Sequence, residues 1–332
     1  MSIPILEMNA RAVNGGIALT YPLLCIVGPT AVGKTRISIE TALKTGGEII
    51  SGDSMQVYRY MDIGTAKPSL EERKGIAHHL IDILYPDEPF SVADFQRMVF
   101  QVIPDICSRG KLPILAGGTG LYLKAVVDQY DFGEGTADWE LREKLKRQAE
   151  LFGNDFLYRR LEKIDPKSAE RIHPNDLKRI IRALEVYHTT GKKISSQQEK
   201  LLAEKFPLQS LIIGLTMNRG RLYERIEQRV DLMMVQGLVQ EVEGLLKRGY
   251  DSQLVSMQGL GYRHMVKFLQ GRYTKDEAVE LLKRDTRRFA KRQLTLFRRN
   301  HNIIWIDLDQ HNHEIEIIEK ICQFRQEYLN RA

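Results

Sequence analysis

A chain of 332 residues is long enough to bury a full core, as one large domain or two modest ones. Its 43% hydrophobic and 28% charged residues are ordinary for a soluble globular protein. No apolar run reaches the roughly 18–20 residues that cross a bilayer, which excludes a membrane-spanning helix. The net charge of +6 and pI near 9.0 hint at a polyanionic partner.

Residues 1–21 show no basic segment followed by an apolar one, so a secretory signal is not expected and the stretch reads as a tail. Leu23–Val27 is a short apolar run ending at a glycine, a buried strand. A helix follows from Lys34 to about Lys44, stopped by Gly46 and Gly47, and Glu48–Ser51 is a second strand. Ser91 caps a helix from Val92 that Pro104 is expected to kink or end, and Gly110 closes the segment. Leu112–Ala116 is a third strand, and Gly117-Gly118-Thr119-Gly120 turns the chain into another helix. Strands alternating with helices predict a parallel α/β sheet.

After Asp131 the pattern becomes charged and helical from Asp138 to Lys205, with Asn175 as N-cap and Gly191 as C-terminal stop. Leu211–Leu215 then returns to the sheet. Helices follow at Arg219–Gln236, Leu238–Arg248 and, after a Thr274 cap, Lys275–Phe297, with a last strand at Ile303–Ile306. The domain expectation is a core over 22–131 and 206–332, with basic C-terminal helices and a helical insertion over 132–205. Cys25, Cys107 and Cys322 are too far apart for a zinc or disulfide framework and fit the reduced thiols of a cytoplasmic protein.

Gly28-Pro29-Thr30-Ala31-Val32-Gly33-Lys34-Thr35 matches G-x-x-x-x-G-K-[ST] between a predicted strand and a predicted helix, the context a phosphate-binding P-loop requires. The glycines let backbone N–H groups turn around an anion and the helix N-terminus adds a positive dipole. Lys34 supplies charge to the terminal phosphate oxygens, and Thr35 is placed to ligate Mg²⁺. A hydrolase normally adds a carboxylate at the end of an apolar strand. Leu112–Ala116 ends in Gly117-Gly118-Thr119-Gly120 instead, which argues against hydrolysis and for group transfer. ATP as occupant of the loop stays open.

Ser51-Gly52-Asp53-Ser54-Met55-Gln56 follows the second strand and should face the same crevice. Asp53 reads equally as a general base near the diphosphate or as a turn cap and water-mediated Mg²⁺ ligand. Gln56 has the paired donor and acceptor that read an adenine edge. Lys283, Arg284, Arg287, Arg288, Lys291, Arg292, Arg298 and Arg299 crowd one helix, opposed locally by Asp285 alone, a pattern for phosphate contacts or a solvated face. Phe289 and Phe297 are read as core. His78, His79, His173 and His188 are not spaced as a metal site and are read as structural.

Taken together the motifs resemble the tRNA dimethylallyltransferases. The matching stretches are Gly28–Thr35, Asp53–Tyr58, Met61–Pro68, Phe90–Phe95, Gly117–Tyr122, His173–Asp176 with Arg179–Glu185, Arg219 with Arg225-Ile226, and Ser256–Tyr262, in the family's order along nearly the whole chain. The resemblance implies a P-loop NTPase-like core flanked by helices, with a small all-helical insertion. It also implies transfer of a dimethylallyl group from dimethylallyl diphosphate to N6 of the adenosine 3′ of a tRNA anticodon; a monomer is expected, although the sequence leaves the oligomeric state open. Carried over by position, Asp53 is the general base, Thr30–Thr35 cradle the diphosphate, and Arg219 is a basic residue beside it. Asp53, Ser54, Met55, Gln56 and Thr119 contact tRNA, as do Lys178, Arg179, Ile180, Ile181 and Arg182 on the insertion. Residues 1–21 exceed the family's usual start, and a zinc-finger extension is absent, which matches the bacterial type. A P-loop small-molecule kinase is the runner-up, and an RNA-binding NTPase switch a weaker third.

Overall fold

A computed structural model describes residues 10–13, 16–130, 138–197 and 205–330. The stretch read as a tail carries a hairpin, β1 (Ala10–Val13) paired antiparallel with β2 (Gly16–Leu19). Tyr21 then opens the central strand β3 (Tyr21–Val27).

β3 feeds helix α1 (Lys34–Thr45), which Gly46 ends in a left-handed conformation, φ 65°. β4 (Gly47–Ser51) follows, then the two-residue β5 (His78–His79), which is too short for its side chains to announce it. Helix α2 (Val92–Ser108) starts at a capping box in which Ser91 and Asp94 exchange bonds. It runs through Pro104 rather than ending there. Phe95, Val99, Ile103 and Ile106 are buried along one face, so packing holds both halves of the helix. β6 (Leu112–Gly117) and α3 (Gly120–Val127) complete the first half.

Residues 128–206 form a compact unit of their own. Its helices are α4 (Trp139–Phe152), α5 (Asn154–Ile164), α6 (Pro166–Ala169), α7 (Leu177–Thr190) and α8 (Ile194–Gln197). They close around Leu145, Leu157, Leu161, Ile180, Ala183 and Leu184. Asp176 rather than Asn175 caps α7, its carboxylate accepting from the Arg179 amide.

The other unit resumes with β7 (Leu208–Thr216), α9 (Arg219–Gln236), α10 (Leu238–Lys247), α11 (Leu260–Leu269), α12 (Lys275–Phe297), β8 (Ile303–Asp307) and α13 (Glu314–Asn330). Its sheet has the order β5-β4-β6-β3-β7-β8 and is parallel throughout. This is a P-loop NTPase-like core flanked by helices. Leu24, Ile26, Ile114, Ile213 and Leu215 pack on one face against Ile37 of α1 and Ile317 and Ile321 of α13, and Leu23, Cys25 and Leu115 on the other face are buried too, as strands covered on both faces require. The register pairs Val27 with Gly117 and with Gly214, and Ser51 with Ala116. The chain therefore leaves β3, β4 and β6 at one edge, where ligands of open parallel sheets bind. Among the described residues no helix is long and apolar enough to cross a membrane.

Candidate active site

Three loops meet at that edge. The first, residues 28–34, needs its glycines. A Cβ on Gly28 (φ 150°) would lie 2.6 Å from the Leu215 carbonyl oxygen, and Gly33 has φ 104°. Lys34 folds its Nζ back onto the Pro29 carbonyl at 2.7 Å. The second loop follows β6. A Cβ on Gly117 would lie 2.3 Å from the Gly52 carbonyl oxygen, so only glycine lets the ends of β4 and β6 come this close.

The third loop holds Asp53. Its carboxylate accepts from the Met55 amide at 2.9 Å, an Asx turn that fixes the side chain. The Ser54 amide donates to the Thr119 hydroxyl at 3.2 Å and ties this turn to the second loop. Gln56 is committed within the protein. Its Oε1 accepts from the Ser51 hydroxyl, and its Nε2 donates to the Thr65 and Ala66 carbonyls. Both halves of the amide thus bond within the protein and hold the loop that carries Asp53, with one lone pair of Oε1 left for a further donor. Thr35, Ser51, Gln56 and His78 share the lining of one small cleft.

Cations dominate the surroundings. Burial and the neighbouring Arg229 charge pull the Lys34 pKa down to about 7, while Asp53 opposes the fall. Burial also lowers the pKa of Arg229, again opposed by Asp53. Arg229 donates to the Thr30 hydroxyl at 3.2 Å, and Arg225 reaches the Val32 carbonyl at 3.4 Å. Arg225 and Arg229 stand one helical turn apart, flanking the buried stripe Leu222, Ile226 and Val230. Arg219 bonds a different partner. It is exposed at the start of α9, with its Nε on the Tyr223 hydroxyl at 2.9 Å and its guanidinium over that ring. The residue expected beside the diphosphate is therefore not among those that bond the loop, whereas Arg229, which the sequence did not single out, is.

Residues 56–300 match the IPP transferase family. The chain is 52% identical over 299 residues to a tRNA dimethylallyltransferase of Acetivibrio thermocellus, covering 90% of this chain and 96% of that one. The chain belongs to this family. Among solved structures, the tRNA isopentenylpyrophosphate transferase of Bacillus halodurans is similar at 46% identity and TM-score 0.69, over 93% of this chain and 98% of that one. A eukaryotic dimethylallyltransferase acting on tRNA is similar at 31% identity and TM-score 0.72, over 87% and 74%.

In this member of the IPP transferase family, the insertion stretch 178–182 divides sharply. Lys178 and Arg179 are exposed, Arg179 pairing with Asp176 at 3.3 Å. Ile180 is fully buried, so its side chain presents no contact surface, whereas Ile181 is half-buried at the edge of the same core. Arg182 donates to Glu185, which also receives Nε and Nη2 of Arg142. On α12 the cations are less free than the local sequence implies. Arg287 pairs with Glu227 and Lys283 with Asp231, both from α9, in addition to the Asp285 contacts of Arg284 and Arg288. Lys291, Arg292, Arg298 and Arg299 have no ion pair among the described residues. Phe297 is buried, but Phe289, expected in the core, is exposed under Arg292 at 5.9 Å, because it falls on the basic face of the helix.

Proposed function

We propose that the chain transfers a dimethylallyl group from dimethylallyl diphosphate to N6 of the adenosine 3′ of a tRNA anticodon, releasing diphosphate. The observation that carries this is one carboxylate, Asp53, held by an Asx turn within electrostatic reach of two cations that make no ion pair among the described residues, Lys34 and Arg229, beside a P-loop. An adenine amine is a poor nucleophile because its lone pair is delocalised into the ring. Asp53 takes the N6 proton as the N6–C1 bond forms, while the C1–O bond breaks and its electrons leave with the diphosphate. Lys34, Arg229 and the loop amides stabilise the charge that develops on that leaving group.

The leaving diphosphate calls for a hard cation, and Mg²⁺ usually binds through one or two protein oxygens plus phosphate oxygens and water. Thr35, exposed at the start of α1 on the shared cleft, offers such an oxygen. The target base must leave its stack to reach the crevice. Lys178, Arg179, Ser54, Met55 and Thr119, with the unpaired cations of α12, are the positions for the tRNA, and ordinary salt dependence should follow. Every group assigned to chemistry lies on one chain, so a monomer suffices. Three free cysteines fit the cytoplasm.

The test is to incubate purified protein with labelled dimethylallyl diphosphate, Mg²⁺ and unmodified tRNA. Label is expected on a single adenosine. If label never reaches tRNA while the γ-phosphate of ATP reaches a small acceptor, the kinase reading replaces this one.

A further inference from the structure

Gln293 lies on α12 with only 6% of its surface exposed, a buried amide on a helix whose other face is cationic. Its Oε1 accepts from the Thr30 amide of the P-loop at 2.9 Å. Its Nε2 donates to the Gly118 carbonyl at 2.9 Å. The partners fix the orientation, since an amide N–H requires the oxygen and a carbonyl requires the nitrogen. The fit leaves no slack, because a Cβ on Gly118 would meet Nε2 at 2.4 Å.

Thr30 is the residue that Arg229 holds by its hydroxyl. Gly118 is next to Thr119, whose hydroxyl receives the Ser54 amide beside Asp53. A continuous path of hydrogen bonds thus runs from the diphosphate cradle, through Gln293 and the loop after β6, to the turn of the carboxylate. α12 also packs Leu296 against Gly120 and Ala290 into the cluster around Val32, but among the described residues Gln293 is the α12 side chain hydrogen-bonded to both loops.

We propose that Gln293 is a positioning residue: it fixes the P-loop against the Gly117–Gly120 loop and so sets the separation between the departing diphosphate and Asp53. This rests on the transfer reaction proposed above. Donor and acceptor are each bound by other groups, so Gln293 acts on the geometry of their encounter rather than on either affinity. Misplacement of reacting groups by about 1 Å costs on the order of a hundredfold in rate.

The experiment compares Q293M, which keeps the side-chain length and apolar packing but removes both bonds, with Thr119→Val and the double variant. Single-turnover transfer to tRNA, donor dissociation constant, tRNA KM and Tm are measured for each. The wild-type protein, assayed alongside, tests the reaction itself: failure of wild type to label tRNA removes the function, whereas a labelled wild type isolates the role of Gln293. The expected result is a loss of at least tenfold in the single-turnover rate for Q293M, with donor dissociation constant and tRNA KM within threefold of wild type. The double variant should lose much less than the product of the two single losses, because both residues serve one path. A wild-type rate in Q293M, or losses that multiply independently and follow the drop in Tm, would overturn the proposal.

Discussion

Buried charge is handled in opposite ways in the two units. In the helical unit Glu185 is fully buried and receives Arg142, Arg182 and the Asp138 amide, which hold its carboxyl below the usual range despite burial. Asp165 is similar, bonded by the hydroxyls and amides of Ser168 and Ser195. At the P-loop, Lys34 and Arg229 sit beside each other with no ion pair among the described residues, and burial pulls both toward neutrality. A charge with complete partners is there to hold the fold, whereas like charges left uncompensated in a crevice are there for a ligand that supplies the opposite sign.

The comparison is sharpest where removal of a group leaves one property untouched. Asp53→Ala should lose about 10²–10⁴ in transfer rate, the span of general acid–base catalysis, with donor affinity within threefold. Rapid-quench transfer and equilibrium donor binding measure the two, and an unimpaired rate would remove Asp53 from the mechanism. Glu185→Ala should destabilise by about 3 kcal/mol, the low end for a broken buried pair because its arginine partners are partly exposed. Urea unfolding reads this, and a change under 1 kcal/mol would mean the arginines find other partners.

Arg229→Met should do the reverse, leaving stability within about 1 kcal/mol but weakening donor binding roughly 10–100-fold through a lost charge-assisted bond. Arg219→Ala should change donor binding less than this, since its guanidinium lies on Tyr223. A larger loss for Arg219 than for Arg229 would reverse the assignment.

The pH dependence has a defined sign. Lys34 is half-protonated near pH 7 in the free protein, well below its ordinary value of 10.5, and a bound diphosphate raises it again. Donor affinity is therefore full below pH 7 and falls above it, by at most about tenfold per pH unit, with a proton taken up on binding. Calorimetry at pH 8 in buffers of different ionisation enthalpy detects that proton, and its absence would place the lysine elsewhere in the titration. The smallest effect belongs to α12, where Lys291→Gln should lower the slope of log affinity for tRNA against log salt by about 1.

Much of this was legible in the sequence because it is local. The P-loop, the caps at Ser91 and Thr274 and the glycine stops at Gly46 and Gly191 depend on residues a few positions apart, and each stands where its pattern places it. The proline rule left two outcomes at Pro104, a kink or an end, and the packing around it decides against the end. Arg229 and Gln293 were missed because they meet Thr30 across 199 and 263 residues of chain. A signal for Arg229 was present, since its spacing from Arg225 sets both beside the apolar stripe of α9, but only the fold says which loop that side faces. Gln56 adds a bond the pattern did not show: its amide also ties Ser51 to the Thr65 and Ala66 carbonyls.

The order of strands has a consequence for how the chain is made. β3 emerges early from the ribosome, yet one of its two neighbours, β7, follows the whole helical unit. At roughly 5–20 residues per second the central strand waits on the order of ten seconds for that partner. The helical unit, whose contacts are short-range, can close in that interval, while one edge of the apolar β3 stays open. Among the described residues, nascent chains stalled before Leu208 should therefore be protease-resistant only within 138–197, and chaperone dependence should be greatest at that length.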